Sequence, residues 1–285
     1  MKKIVTHKTP DLDAVTSVWL LKKFLPNWQD ADVNFVPAGK TLDEEVADSD
    51  PNVLHVDTGF GMLDHHQSNE YTCAAKKTYE YIKREKSKSN DWHDESLERL
   101  IEVVTWYDHF RNCLLDDAHA DYHMFDAATI IDGLKMIHVD SDHKILELSF
   151  EILDGIYKML QNKVWAEKIM QKELVPFNTK WGKAAGFETT NDEVLKVAQK
   201  SGYRVVIRKD PKKGYVRIKG SPGTEVDFTY AYEKLKALDS RATWFLHASK
   251  KMLLNGSTNK PDMRPTKLSL HDIIAAVKNE ELHFL

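Results

Sequence analysis

The sequence predicts an α/β protein with an N-terminal parallel sheet, a helical connector and a smaller α+β C-terminal domain. Short apolar strands alternate with helical segments up to about residue 60. Amphipathic helical spacing then extends over residues 72–178, and strand patterns rich in Val, Ile and Tyr follow residue 180. We therefore predict an N-terminal domain with its connector over 1–180 and a C-terminal domain over 181–285.

The N-terminal elements follow one another as strand, loop and helix. "KKIVTH" is a strand, "KTPD" a turn, and "DAVTSVWLLKKFL" a helix whose first turn either Asp11 or Asp13 caps. "DVNFVPAG" and "NVLHVDTG" are two more strands, separated by a short helix at "DEEVAD". This alternation predicts a mostly parallel sheet, whose ligands collect at the carboxyl ends of the strands.

The rest of the chain is predicted to be helical first and mixed afterwards. Helices are expected at "TCAAKKTYEYIKRE", at "DESLERLIEVVTWYDHF", and over "DHKILELSFEILDGIYKMLQNKVWAEKIMQKEL" as one helix or two. "NTKWGKAAGFETTND" reads as the loop between the domains. "YRVVIRKDPKKGYVRIKG" predicts a hairpin, and "KLSLHDIIAAVKNEEL" a helix with a Ser-x-x-Asp cap.

Composition narrows the class of protein. The chain is 42% hydrophobic and 29% charged, and its net charge of -4 argues against a surface that grips nucleic acid everywhere. Two cysteines, Cys73 and Cys113, cannot form a disulfide framework, which fits a reducing compartment. The sequence shows neither a signal peptide nor an apolar run long enough for a membrane span. We expect a cytoplasmic protein without a membrane partner.

Acidic residues and histidines gather at the predicted strand ends. They are His7, Asp11, Asp13 and Asp57, then Asp64, His65 and His66 after a glycine turn, and Asp108 at the end of an apolar run. Asp116, Asp117 or His109 could take the place of Asp108. Taken singly, each residue fits a helix cap, a turn or a solvated loop. Their joint occurrence in order at strand ends favours a shared site.

Such a set of side chains has the chemistry of a metal centre. Several carboxylates in one crevice repel one another unless cations neutralise them. Mixed Asp and His ligands suit Mn, Fe, Co or Zn better than Ca²⁺. With one bridging carboxylate, two metals could lie about 3.5–4 Å apart, activate a water, and stabilise the oxyanions of a displacement at phosphorus.

The ordered motifs "THKTPDLDA", "VDTG" and "DHH", followed by a later aspartate, resemble those of the DHH phosphoesterase superfamily. This superfamily includes RecJ-type exonucleases, oligoribonucleases, cyclic-dinucleotide phosphodiesterases and manganese pyrophosphatases. The resemblance covers about residues 1–110. "VDTGFGMLDHHQ" is also similar to MYG1-type proteins, and the short spacing from Asp57 to Asp64 favours that branch.

The resemblance implies a role for each residue of the set. His7 and Asp11 would bind one metal, Asp13, His65 and Asp108 the other, and Asp57 would bridge them. Asp64 and His66 would be the catalytic pair, with Asp64 orienting His65 and His66 facing the scissile phosphate as a hydrogen-bond donor or acid. The expected cofactors are two divalent metal ions, with Mn²⁺ first and Mg²⁺, Co²⁺ and Zn²⁺ as alternatives.

Substrate binding is expected in the C-terminal domain. The superfamily's Gly-Gly-Gly-His motif is absent, but "TWFLHASKKMLLNGSTNKPDMRP" gathers hydrogen-bond donors that could hold a phosphate or a ribose. The candidates are His247, Lys250, Lys251, Asn255, Ser257 and Arg264. Ser249 belongs to the same cluster of donors. A basic surface loop explains the same stretch equally well. Trp181 and Trp244 are the candidates for base stacking.

Together these patterns predict a metal-dependent phosphoesterase that hydrolyses phosphodiester bonds of short oligonucleotides or of linear or cyclic dinucleotides. A manganese pyrophosphatase or a hydrolase of small phosphate esters is the first alternative. A non-catalytic regulatory protein that binds nucleotides is the second. The sequence leaves open the exact phosphoester, the polarity of cleavage, the native metal and whether the chain forms a homodimer.

Overall fold

The computed structural model describes residues 1–87 and 92–278. The chain forms two compact units, Met1–Leu160 and Gln161–Leu285. The domain ranges 1–180 and 181–285 stay a prediction. No helix among the described residues is long and apolar enough to cross a membrane. The architecture is mixed α/β, with a parallel sheet in the first unit and a separate mixed sheet in the second.

The first unit contains a three-stranded parallel sheet in the order β2-β1-β3. The strands are β1 (Lys3–His7), β2 (Asp32–Val36) and β3 (Val53–His55). Helix α1 (Leu12–Phe24) follows β1, and Asp11 is its N-cap because its carboxylate accepts from the amides of Asp13 and Ala14. Strand, helix and parallel strand follow in the predicted order, so the carboxyl ends of β1 and β3 lie side by side.

Four further helices complete this unit or begin in it. They are α2 (Ala74–Ser87), α3 (Glu95–Asp108), α4 (Ala127–Ile137) and α5 (Asp142–Lys172), the last a single helix of 31 residues. The core packs α1 side chains such as Val18 and Leu20 against residues of α2, α3 and the first part of α5. Buried side chains of this kind, rather than helix propensity, hold such elements together.

The second unit contains a six-stranded sheet in the order β4-β5-β6-β7-β9-β8. Its strands are β4 (Val175–Thr179), β5 (Gly182–Glu188), β6 (Val205–Lys209), β7 (Val216–Gly220), β8 (Trp244–Leu246) and β9 (Met252–Asn255). Only the β5–β6 pair is parallel among these neighbours. Its helices are α6 (Glu193–Lys200), α7 (Thr229–Leu238) and α8 (Leu270–Lys278). The predicted cap of α8 is present, because Ser269 and Asp272 exchange hydrogen bonds.

Two expectations about local structure were wrong. Residues 178–190, expected to be a loop, form most of the β4–β5 hairpin. The sequence pattern did not indicate a strand here, because small residues that allow close packing replace the usual large apolar ones. A Cβ on Gly186, for example, would lie 2.9 Å from Ile274 Cδ1 of α8. The short helix expected at "DEEVAD" is reduced to a 3₁₀ turn over Leu42–Glu44. The end of the predicted last helix, beyond residue 278, lies outside the described residues.

Candidate metal centre

The proposed ligands of the first unit lie at the carboxyl edge of its sheet. His7 is the last residue of β1, and Asp57 follows β3 by two residues. Asp57 has a φ of 54°, a left-handed conformation that is uncommon for a residue with a side chain. The backbone therefore leaves the strand abruptly at Asp57, and the buried carboxylate stays at the sheet edge beside His7.

The structure brings all the predicted ligands into three groups of three. Within each group, one ligand atom per residue lies within 4.8 Å of the others. The groups are His7 with Asp11 and Asp57, Asp13 with His65 and Asp108, and Asp57 with His65 and His66. Asp57 and His65 each belong to two groups, so the three groups form one continuous cluster of potential ligands.

Asp57 is the residue on which the cluster converges. Its Oδ2 lies 3.2 Å from His7 Nε2, and its Oδ1 lies 3.5 Å from His65 Nε2 and 3.7 Å from His66 Nδ1. Oδ1 is buried and has no hydrogen bond of normal geometry among the described residues. A buried carboxylate oxygen without such a partner is costly, and a bound cation would satisfy it.

Asp13 is held by the first turn of α2. Its two carboxylate oxygens accept hydrogen bonds from the amides of Ala74 and Ala75, each at 2.7 Å. These amides are free of intrahelical partners at a helix N-terminus, where a negative charge is favoured. His65 Nε2 lies 3.7 Å from Asp13 Oδ2 and 3.8 Å from Asp108 Oδ2. This support could not be predicted from the sequence, because nothing near "TCAA" marks it as a binding partner of Asp13.

The charges of the cluster are strongly coupled. Burial and the charges of Asp57 and Asp108 raise the pKa of Asp13, and burial is also the main cause of the raised pKa of Asp108. Burial opposes ionisation of Asp57, but the neighbouring rings of His65 and His7 outweigh it and lower its pKa. The neighbouring Asp57 carboxylate raises the pKa of His65 to about 9. For His7, burial acts in the opposite direction, but Asp57 outweighs it and the pKa is again about 9.

Asp64 differs from the role that the family resemblance implied. Its carboxylate is fully buried and lies 2.7 Å from His66 Nδ1, not beside the ring of His65. It also accepts from the backbone amides of His66, at 3.1 Å, and of Phe60, at 2.7 Å. Asp64 therefore orients His66, whose side chain is 56% exposed. The predicted role of Asp64 in orienting His65 was wrong, because the Asp64 carboxylate bonds to Phe60 and His66 within its own turn.

The structure also distinguishes Asp108 from the neighbours that could replace it. Asp108 is a member of the cluster, whereas His109 Nε2 lies 3.0 Å from the carbonyl oxygen of Thr72. Asp117 lies 3.5 Å from His123, outside the three groups of ligands. Among the acids of this region that the structure describes, Asp108 alone is placed to serve as a ligand.

The donor-rich segment of the second unit is only partly accessible. Asn255 is fully buried, and its amide group bonds to the backbone of Thr243, Arg264 and Thr266. Asn255 is thus a structural residue rather than a substrate ligand, because it joins three chain segments. Arg264 itself has an exposed side chain.

The other candidates of this segment stay predictions. His247 Nδ1 lies 2.8 Å from Ser249 Oγ, and Lys250 pairs with Asp227 at 3.2 Å. Lys251 and Ser257 are half-buried.

The two tryptophans proposed for base stacking are not equivalent. Trp244 is 6% exposed and packs in the core of the second unit, so stacking on its ring is excluded in this conformation. Trp181 is half-buried and contacts Phe228 edge-on, with 5.8 Å between ring centroids. Only Trp181 remains a candidate of this kind.

Comparison with known proteins gives similarity among solved structures alone. No family model and no curated protein matches the chain. The pGpG-specific phosphodiesterase PggH from Vibrio cholerae shares 14% identity at a TM-score of 0.34, over 92% of this chain and 94% of that chain. RecJ from Thermus thermophilus in complex with Mg²⁺ shares 13% at 0.32, over 98% and 49%. An exonuclease RecJ bound to manganese shares 12% at 0.33, over 100% and 91%. Similarity at this level decides neither substrate nor reaction, so the functional inference depends on the side chains of the site.

Proposed function

We propose that the chain is a metal-dependent phosphohydrolase of the DHH type that cleaves phosphodiester bonds in a nucleotide substrate. The observation that carries this proposal is the cluster of potential ligands that converges on Asp57. Six predicted ligands, namely His7, Asp11, Asp13, Asp57, His65 and Asp108, lie together there. A structural role alone would not require four carboxylates in one partly buried crevice, since their mutual repulsion opposes folding.

The residues present fit two divalent cations. Asp57 Oδ1 is the buried oxygen without a hydrogen bond of normal geometry, and the group His7, Asp11 and Asp57 meets the group Asp13, His65 and Asp108 around it. Mixed Asp and His ligands suit Mn²⁺ first, with Mg²⁺, Co²⁺ and Zn²⁺ as alternatives. Divalent ions at such a site lower the pKa of water and offset the charge that develops on phosphoryl oxygens.

The chain's own residues supply orientation and proton transfer. Asp64 holds His66 through Nδ1, which leaves Nε2 of the exposed ring free to meet a substrate. A proton on Nε2 could then be donated to a phosphoryl or leaving oxygen. The buried carboxylate of Asp64 thus fixes the direction of a proton donor. Asp13 is held separately by the α2 amides, so it keeps its position independently of the substrate.

We infer a nucleotide phosphodiester as the substrate class, either a short oligonucleotide or a linear or cyclic dinucleotide. Two divalent ions held by these ligands, with a proton donor beside them, would support an in-line displacement at phosphorus. His247, Lys250, Lys251, Ser257 and Arg264 are proposed to contribute to substrate binding.

The test is hydrolysis by the purified chain with Mn²⁺. Fluorescent oligonucleotides, linear and cyclic dinucleotides and inorganic pyrophosphate would be compared in the wild type and in Asp57→Asn and His65→Ala. We expect Mn²⁺-dependent cleavage of at least one phosphodiester and its loss in both variants. Asp117→Asn removes a carboxylate outside the cluster and should retain activity. Absence of Mn²⁺-dependent turnover, or equal turnover in the variants, would refute the proposal. If the chain releases phosphate from pyrophosphate and cleaves no phosphodiester, the substrate is pyrophosphate and not a nucleotide phosphodiester.

A further inference from the structure

A loop between β2 and β3 is fastened to the turn that carries the ligands. Lys40 provides a carbonyl oxygen that accepts from the Thr58 hydroxyl at 3.0 Å. The amide of Leu42 donates to His55 Nε2 at 3.1 Å. Asp48 accepts from the amide of Met62 at 2.9 Å. The loop therefore bonds to the chain on both sides of Asp57. One contact precedes Asp57, at His55, and two follow it, at Thr58 and Met62.

Asp48 is the central member of this arrangement. Its side chain is 8% exposed, and its Oδ1 accepts from the backbone amide of His55 at 2.9 Å and lies 3.4 Å from His55 Nδ1. Its Oδ2 accepts from Met62 N on the far side of the turn. One carboxylate thus joins the end of β3 to the far side of the 57–64 turn. An amide side chain has one acceptor oxygen and could satisfy only one of these two positions.

The ring of His55 bonds to the same loop at a second point, through Leu42. Because Nε2 accepts the Leu42 amide, the proton of the neutral ring is on Nδ1, which faces Asp48. The ring is 2% exposed, so neither nitrogen can exchange its partner for water without movement. His55 therefore acts as a buried link between the loop and β3, and it is outside the groups of potential metal ligands.

Gly61 shows how closely Asp48 approaches the turn. A Cβ at Gly61 would lie 2.4 Å from Asp48 Oδ2 and 3.1 Å from Ala47 Cβ. The turn can therefore pass the carboxylate only because residue 61 has no side chain. The contact can be disturbed from either side, by changing Asp48 or by adding a methyl group at Gly61.

We propose that Asp48 is a positioning residue: with His55, it fixes the turn that sets the direction of the Asp57 carboxylate and of the Asp64–His66 pair. A residue held at positive φ, such as Asp57, is strained and persists only when its surroundings hold it there. Asp48 and Asp64 supply that support by accepting hydrogen bonds from the amides of Met62 and Phe60, respectively. This inference rests on the proposed metal site.

The test is a double-mutant cycle in the full chain with Asp48→Asn, Gly61→Ala and the double variant. Mn²⁺ dissociation constants would be measured by calorimetry. Each single change should weaken Mn²⁺ binding about 10–100-fold, the usual effect of losing a partner that orients ligands. Since both changes break one contact, the double variant should be about as weak as the weaker single variant. Asp50→Asn is the matched control, because Asp50 is an exposed acid of the same loop whose carboxylate accepts from Asn52, away from the turn.

A second measurement does not depend on metal. Hydrogen exchange of the Met62 amide in the metal-free protein should accelerate at least tenfold in Asp48→Asn and in Gly61→Ala, but not in Asp50→Asn. Mn²⁺ affinities within twofold of wild type, or effects that multiply in the double variant, would overturn the inference. If the wild type binds no Mn²⁺, the proposed function fails. In that case, unchanged hydrogen exchange of the Met62 amide in both single variants would overturn the positioning role as well.

Discussion

The affinity for Mn²⁺ should depend steeply on pH, because two of the proposed ligands carry protons in the metal-free protein. The pKa of His7 and that of His65 are each raised to about 9, chiefly by their bonds to Asp57. At neutral pH both rings are therefore protonated, and a ring must lose its proton before it can bind a metal. Each metal site that uses one of these histidines should release one proton on binding.

The size of the effect follows from the pKa values. Below a pKa of about 9, affinity at each site should rise about tenfold per pH unit, or roughly 1.4 kcal/mol. Between about pH 6.5 and 8.5 this amounts to roughly a hundredfold per site. Calorimetry in two buffers of different ionisation enthalpy would count the protons released. An affinity independent of pH over this range, or no proton release, would refute the inferred protonation of the cluster.

The same pKa shifts determine how the metal-free fold responds to pH. A histidine whose pKa is raised on folding stabilises the native state fully below its unfolded value of 6.5. That contribution is lost as pH rises through the folded value of about 9. Each histidine contributes on the order of 3 kcal/mol when taken alone, and the two are not additive because they share Asp57. Urea unfolding in EDTA should show stability falling from pH 6.5 to 9, and a rise would contradict the ion pairs.

Three further predictions separate binding from folding. Asp108→Asn should weaken Mn²⁺ binding at least tenfold. It should also raise the thermal midpoint of the metal-free protein, because it removes a charge that burial and Asp57 disfavour. A lower midpoint in EDTA would contradict this. Asp64→Ala removes the charged acceptor of the Phe60 and His66 amides and should cost about 1–3 kcal/mol in urea unfolding, with a 10–100-fold loss of turnover. Unchanged turnover would exclude the role in holding His66. Leu20→Ala opens a cavity in a fully buried position and should cost about 2–5 kcal/mol while Mn²⁺ affinity stays the same.

The gathering of these side chains at one sheet edge was largely predictable, because they follow elements with a clear period. Two apolar strands of the first unit lead into these residues: β1 ends at His7 and is followed by Asp11, and β3 is followed by Asp57. Because the two strands are parallel neighbours, their carboxyl ends lie at one edge. The glycine after Asp57 marks the turn that returns the chain to this edge. Local sequence thus indicates which side chains form the cluster and the edge where they gather.

Partners across the fold could not be predicted in the same way. Asp64 stands beside both His65 and His66, and its choice depends on the side-chain direction in a turn that also binds Phe60. Asn255 was one polar residue among many donors, and only the approach of two distant segments shows that it is buried. The β4–β5 hairpin was missed for the same reason, because Gly186 is small to admit α8.

Stability and the proposed metal binding oppose each other at the sheet edge. The α2 amides stabilise Asp13, and two histidines stabilise Asp57, but Asp108 has no comparable set of donors among the described residues, and its pKa is raised by burial. A fold selected only for stability would replace one of these acids, because removing a buried like charge relieves repulsion. The chain instead keeps all of them and provides neutral or cationic partners for some, which is the pattern expected when a bound cation completes the charge balance of the native site.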